Sequence, residues 1–421
     1  MAMHERKART GAARSHGGTR MTNWKRLLTA SALAVTATGA AGKAALADST
    51  PAPAAAAAPT APTPSPMPWP GMSTGLAANP FPPTVDAGPL GKITVDGVFS
   101  GIGLWQSNAA GDFFGRVNKQ GYADISNAQI IVNKSSGVIQ FFFEAGAYSL
   151  PALGSPYYRA DTANRVFFGP AIQGFLKYAP NANFSIEAGA LPTLQGAEYT
   201  FTFENYNIER GLLWNQENTV NKGVQVNYTK GPWLVSASFN DGYDSDRYTS
   251  GSGLVTYTFK NTDTLTFVAQ GTFKKVYVNT LLTPGPQANS QVYNLIYSHT
   301  MGKWTISPYV QYTVVPNVAG ITPSGSTIGG ALFVRYAFTP TLSLDGRAEY
   351  ISSSGAANLL YGPKSNAFSF TVTPTYQKGI FFARGEFSYV DASSVTPGLA
   401  FGPFGLDKSQ VRGVAEAGVL F

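Results

Sequence analysis

From about Lys92 to Phe421, apolar and polar residues alternate with a period of two, and that period narrows the choice of fold more than anything else in the chain. In the run Leu342 to Tyr350, Leu342, Leu344, Gly346, Ala348 and Tyr350 fall on one side and Ser343, Asp345, Arg347 and Glu349 on the other. Successive side chains of a strand point to opposite faces, so one face is apolar and the other ionic. The same split runs through 184–190, 233–239 and 368–376. A soluble β-sandwich also alternates, so the period alone leaves two all-β architectures open.

Three features favour a closed antiparallel transmembrane β-barrel. Charges gather on the polar faces (Glu144, Glu187, Arg335, Arg347, Glu349, Arg384, Glu386, Arg412, Glu416), and the apolar faces carry almost none. Aromatic residues cluster where strands end, at Trp105, Tyr178, Trp233, Trp304, Tyr336, Phe338, Tyr350 and Tyr389, as the interfacial girdles of a membrane barrel require. Connections alternate in length. Short ones are expected at 134–137, 180–183, 230–231, 261–263, 301–303, 339–341 and 378–379. Long ones are expected at 108–120, 149–164, 192–219, 241–251, 274–290, 315–326, 353–364 and 392–407. Eight long loops and seven short turns give about 16 strands, with 14 to 18 compatible with the pattern. In the last strand Val411, Gly413, Ala415, Ala417, Val419 and Phe421 share a lipid face, and Arg412 and Glu416 the other. A chain ending on an aromatic at the tip of such a strand has the form of the terminal signal read by the barrel-assembly machinery, which assigns that role to Phe421.

Composition agrees. Charged residues make up 13% of the 421 residues, against about 25% in a soluble protein, so something other than water faces much of the surface. Leu27 to Gly42 is the only long apolar stretch, and it is too short and too rich in Ala and Thr to span a bilayer as a helix. With Lys25 and Arg26 before it and Ala45-Leu46-Ala47 after it, it reads as a signal peptide over 1–47, with Met21 as an alternative start. Eight of the 30 basic residues and one of the 23 acidic residues lie in 1–47, which leaves 22 of each and a neutral mature chain. Nucleic-acid binding, which needs clustered positive charge, loses its support. There is no cysteine, so an exported fold must be held by other means than disulfides. Residues 48–91, dominated by Pro and Ala, are expected to form a disordered periplasmic leader before a barrel over 92–421.

Words of more specific sequence lie in the middle of the chain. Gly189-Ala-Leu-Pro-Thr-Leu-Gln-Gly-Ala-Glu-Tyr199 is followed by Asn205-Tyr-Asn-Ile-Glu-Arg-Gly-Leu-Leu-Trp214, Gly223-Val-Gln-Val-Asn-Tyr228 and Phe239-Asn-Asp-Gly242. This order resembles the OmpL-like β-barrel porin family, in which a GxxPTxxGxE segment leaves a strand and enters a long loop. The resemblance covers about 92–421, with its diagnostic words in 187–242, and implies a porin-type barrel with little settled about substrate.

A barrel of this size encloses an aqueous channel, which needs a constriction and no cofactor. The expected function is passive diffusion of small polar solutes or ions across the outer membrane. The longest connection, 192–219, is the candidate constriction, with Glu198, Glu204, Glu209 and Glu217 against the single base Arg210. Arg335, Arg347, Arg384 and Arg412 are expected to point inward from the wall, beside Asp345, Glu349, Glu386 and Glu416. An acidic loop facing a basic wall would set a transverse field. The competing reading is local salt bridges, Arg347 with Asp345 or Glu349 and Arg384 with Glu386, and both can hold together. A structural or adhesive barrel with an occluded lumen is the main alternative. A barrel enzyme has less support, because the mature chain holds one histidine, His299, beside an expected turn, and no nucleophile elbow. Asp241 and Asp244 lack a metal-ligand spacing that stands out. The expected partners are outer-membrane lipid, the assembly machinery and, by analogy with porins of this size, two further copies in a homotrimer.

Overall fold

In the computed structural model, which describes residues 75–79, 81–111, 119–260 and 263–421, the alternating sequence becomes strands almost end to end. They are β1 (Thr84–Asp86), β2 (Lys92–Gln106), β3 (Gly121–Lys134), β4 (Ile139–Tyr148), β5 (Ala171–Asn181), β6 (Phe184–Pro192), β7 (Val220–Lys230) and β8 (Trp233–Asn240). There follow β9 (Ser250–Thr258), β10 (Thr264–Thr272), β11 (Gln291–Met301), β12 (Trp304–Val315), β13 (Gly325–Thr339), β14 (Leu342–Gly355), β15 (Asn366–Lys378), β16 (Phe381–Ser393) and β17 (Ser409–Leu420). From β2 onward every strand pairs antiparallel with the next, and β17 pairs with β2 in a register running from Arg412 opposite Gln106 to Leu420 opposite Val98. The sheet therefore closes as a 16-stranded barrel with no free edge. The strand number is the one expected from the sequence, and where the connections are described, long and short ones alternate as expected. Among the described residues no helix is long and apolar enough to cross a membrane; strands that pair all their backbone groups in a closed ring need none.

Burial is inverted relative to a soluble protein. Phe99, Trp105, Ile130, Leu176, Val226, Leu295, Val310, Leu332 and Phe370 are exposed on the outside. Ser100, Gln129, Glu144, Gln173, Asn227, Thr266, Gln311 and Ser369 are buried inside. Such a surface is stable only against hydrocarbon. At the turn side, aromatic rings touch across neighbouring strands, Trp233 on Tyr257 at 4.7 Å and Trp304 on Tyr336 at 4.5 Å, and along one strand, Tyr257 on Phe259 at 4.9 Å and Tyr336 on Phe338 at 4.8 Å. They form a girdle. The tight turns place glycine at positive φ, Gly231 at 57°, Gly302 at 59° and Gly379 at 58°, a region that costs glycine nothing.

The signal peptide expected over 1–47 lies outside the described residues. The leader expected over 48–91 is corrected for its last part. Thr84–Asp86 pairs with Lys92–Thr94, Val95 donates its N–H to the carbonyl of Pro83 at 2.9 Å, and Gly75–Asn79 reaches the turn-side end of the lumen. Proline lacks a donor but keeps its acceptor, and Leu76, 4% exposed, finds apolar partners there. Two connections also shift: the loop expected over 149–164 extends to β5 at Ala171 and holds a short helix, α1 (Ala160–Val166), and β14 continues to Gly355.

Candidate functional site

The loop between β6 and β7 turns into the barrel and runs through it. At the wall of β13–β17 it meets the side chains that the alternation aims inward. Glu198 of the loop forms an ion pair with Arg347 of β14, whose Nε also lies 3.2 Å from Glu349. Glu209 pairs with Arg412 of β17 at 2.7 Å. Arg384 of β16 pairs with Glu416 of β17, the residue directly opposite it in the ladder, and donates to the loop carbonyls of Asn205 at 2.9 Å and Thr202 at 2.8 Å. Arg335 lies 3.6 Å from Asp345, and its guanidinium sits 5.1 Å above the ring of Tyr206.

The wall carboxylates hold the loop as much as the arginines do. Glu386 accepts the N–H groups of Ile208 at 2.5 Å and Glu209 at 3.0 Å, and Glu349 accepts those of Leu212 at 3.0 Å and Leu213 at 3.3 Å. Glu198 accepts the N–H of Gly211 at 2.7 Å, and Glu204 closes on its own loop at Phe201, also 2.7 Å. A loop with no regular structure carries unpaired backbone donors, and charged acceptors satisfy them at short range. Each of these ionic side chains is at most 7% exposed, Arg335 excepted.

The opposed charges that the sequence places on loop and wall meet directly as salt bridges. The local pair Arg347–Glu349 is present, and Arg384 chooses Glu416 across the ladder rather than Glu386, since a residue directly opposite is nearer than one two along the same strand. Among the described residues Glu204 forms no ion pair with a wall arginine, and Glu217 accepts instead from the hydroxyl of Tyr309 at 2.5 Å. Arg210 has no hydrogen-bond acceptor for its guanidinium among the described residues and lies 4.9 Å over the ring of Trp214. Burial lowers its affinity for a proton to about 10, opposed by the charges of Glu198, Glu204 and Glu209. Burial likewise pushes the loop carboxyls up, Glu198 to about 6 against the pull of Arg347, Glu204 to about 7 and Glu217 to about 8.

Three participants escape the sequence pattern. The connection between β4 and β5 also folds inward: Arg412 donates to the carbonyls of Ala152 at 2.8 Å and of Ser155, and Leu153 donates to Arg210 at 2.9 Å. Its apolar word Leu150-Pro-Ala-Leu153 is a signal that could have revealed this, because a solvated outer loop has no use for it. The second is the β8–β12 wall, where Gln270 meets Gln195 and Asn294 accepts the N–H of Gly196 at 3.2 Å. The third is Gly75–Asn79.

On the loop side a cavity of about 790 Å³ is lined by Leu150, Phe167, Trp214, Leu282, Leu360 and Phe404 among others, and its charged lining is Glu217 and Asp244. Asp241, Asp244 and Asp246 bring carboxylate oxygens within 4.8 Å of one another, and Lys222 lies 2.8 Å from the last two. His299 stands at the turn-side rim with Nδ1 2.7 Å from Asp263, far from the loop. Phe421 ties its backbone to Gly97 at 2.8 and 2.9 Å and lays its ring where a side chain on Gly97 would sit.

A closed 16-stranded ring with a long loop folded into it is the architecture of a porin, and the sequence agrees. Residues 92–421 match the family described as beta-barrel porin-2, OmpL-like. The chain belongs to that family. Among solved structures, this family member is similar to the outer-membrane protein OmpT of Vibrio cholerae, at 12% identity over 78% of this chain and 98% of that one, with a TM-score of 0.53. A trimer form of that protein gives 13%, 78%, 99% and 0.51. The anion-selective porin of Comamonas acidovorans gives 11%, 78%, 99% and 0.53. No curated protein matches the chain. At these identities the likeness shows the fold alone.

Proposed function

We propose that this protein is an outer-membrane diffusion channel for small polar solutes, with the loop 193–219 as its constriction. The observation that carries the reading is the inward course of that loop, fixed to the wall by Arg347–Glu198 and Arg412–Glu209. A porin needs a narrow, polar, rigid passage, and ion pairs in a confined lumen supply one. Because each of Arg347, Arg384 and Arg412 faces a carboxylate, selection rests on size and hydrogen bonding more than on net charge, and ion preference is weak. The C. acidovorans porin, by its name anion-selective, would then differ from this chain in selectivity within one fold. The protein works without a cofactor and as a channel rather than an enzyme. It enters the membrane through its assembly machinery with Phe421 as signal, from a precursor whose first 47 residues are removed, and assembles as a homotrimer in the manner that the V. cholerae trimer form illustrates.

Reconstituted into vesicles, the protein should admit small sugars and amino acids at rates that fall steeply with solute size, with nearly equal currents for the two ions of potassium chloride. Vesicles that stay impermeable to every solute, with the barrel folded, would remove the channel reading and leave the occluded structural barrel.

A further inference from the structure

The turn-side mouth of the lumen contradicts its expected chemistry. Val98, Phe382 and Leu420 point inward there and are buried, where a water-filled opening would be polar. What covers them is the chain itself: Leu76 joins their cluster at 4% exposure, with Phe203 of the constriction loop packed alongside. The backbone of the same segment is held on both flanks. Gln377 of β15 brackets Ala77, its side-chain carbonyl accepting the N–H at 2.8 Å and its amide donating to the carbonyl at 2.8 Å. Arg335 of β13 donates to the carbonyl of Gly75 at 2.8 Å, and Gly75 donates to the carbonyl of Glu204 at 3.4 Å. Gly75 lies so close to the loop that a Cβ there would meet the carbonyl oxygen of Asn205 at 1.9 Å. Only glycine fits. Downstream, β1 fastens the segment to β2, so the stretch 75–86 is anchored at one end and inserted at the other.

We propose that Gly75–Asn79 is a plug built into the chain, seated in the periplasmic mouth of the lumen against the tip of the constriction loop, and that the seated plug narrows the passage and its withdrawal widens it. The seat has a hydrophobic base, a two-pronged amide clamp and a cation on a carbonyl, and it touches the constriction directly at Glu204 and Asn205. Plug and constriction therefore open together or hold each other closed. Pro82 and Pro83, just downstream, suit a strap that must withdraw without refolding, because proline favours an extended conformation in the seat and out of it.

This proposal rests on the channel reading, and the test separates the two. The chain has no cysteine, so Leu76→Cys introduces a single thiol whose reaction with a water-soluble maleimide reports the seat. In the otherwise unchanged full chain the thiol should react about tenfold or more slowly than in the unfolded protein. With Gly75→Val added, which denies the segment its place without touching the wall, it should react at nearly the unfolded rate. In planar bilayers Gly75→Val should raise single-channel conductance or open time several-fold, with unchanged heat-dependent gel migration as the check of the barrel. A fast-reacting thiol in the parent protein, or identical currents with and without Gly75→Val, overturns the plug and leaves the porin standing. Silent channels in both forms, with a protected thiol that Gly75→Val exposes, support the seat and overturn the channel.

Discussion

The two walls of this barrel are built from the same alternating pattern and treat the constriction loop differently. The strands β13–β17 carry Arg335, Asp345, Arg347, Glu349, Arg384, Glu386, Arg412 and Glu416 on their inner faces. The strands β8–β12 offer Ser236, Ser252, Thr266, Gln270, Asn294 and Gln311, with no Asp, Glu, Lys or Arg in any of the five. The loop touches both, but its ion pairs lie on the first. A neutral hydrogen bond contributes about 1 kcal/mol, and a charged one about twice that. The charged wall therefore does most to fix the position of the loop, and the β8–β12 wall adds hydrogen bonds without ion pairs, between Asn294 and Gly196, Tyr309 and Glu217, and Gln311 and Leu213. The loop is therefore held more firmly on one side of the lumen than on the other.

The largest effect is expected at Arg347, which pairs with Glu198 and Glu349 at once. Removing one partner of a buried pair typically costs about 3–5 kcal/mol, and water entering the lumen will reduce that. Arg347→Met should still lower the barrel's unfolding temperature in gel-shift assays and make the current noisy and larger. Adding Glu198→Gln should recover part of the loss; full additivity of the two changes would mean that the residues do not act as a pair. A second, smaller effect is expected at Arg412→Met, because Glu209 keeps an acceptor role toward Ser388 at 2.9 Å. Deletion of that arginine should free both inward loops, read as faster proteolysis at 149–170 and 193–219 together.

The hold on the loop should also depend on pH. Burial raises Glu204 to about 7 and Glu217 to about 8, so between their unfolded values and these the folded protein binds the extra protons. Stability of the seated loop then falls as pH rises through that window. Conductance should be lower and quieter at pH 5 than at pH 8.5, and Glu217→Gln should remove the upper part of the dependence; an unchanged profile would detach Glu217 from the constriction. The smallest effect belongs to the neutral wall. Gln270→Ala or Asn294→Ala should shift stability by about 1 kcal/mol or less and leave the gel-shift temperature nearly unmoved. A loss as large as that of Arg347→Met would erase the difference between the walls.

Strands, turns and the faces of Leu342–Tyr350 were legible because a period of two states directly which side chains meet lipid and which meet the lumen. The inward arginines and Glu416 were legible for the same reason, and so was the long GxxPTxxGxE loop as their counterpart. Pairings were not. Whether Arg384 meets Glu386 or Glu416 depends on the register between β16 and β17, and the pattern on a single strand carries no register. The clamp of Glu349 and Glu386 on loop N–H groups was equally hidden, since it depends on backbone that has no periodicity. Gly75–Asn79 escaped because its Pro/Ala-rich neighbourhood has the composition of a linker, and a single leucine meeting Val98, Phe382 and Leu420 leaves no compositional trace.

Hydrogen exchange of the backbone amides of 208–213 tests the central claim without requiring that the channel conduct. Seated in the lumen, with Ile208, Glu209, Gly211, Leu212 and Leu213 bound to carboxylates, these amides should exchange as slowly as the strands β14–β17. Exchange as fast as in a solvated surface loop would show that the loop does not occupy the barrel, and the constriction would have to be abandoned.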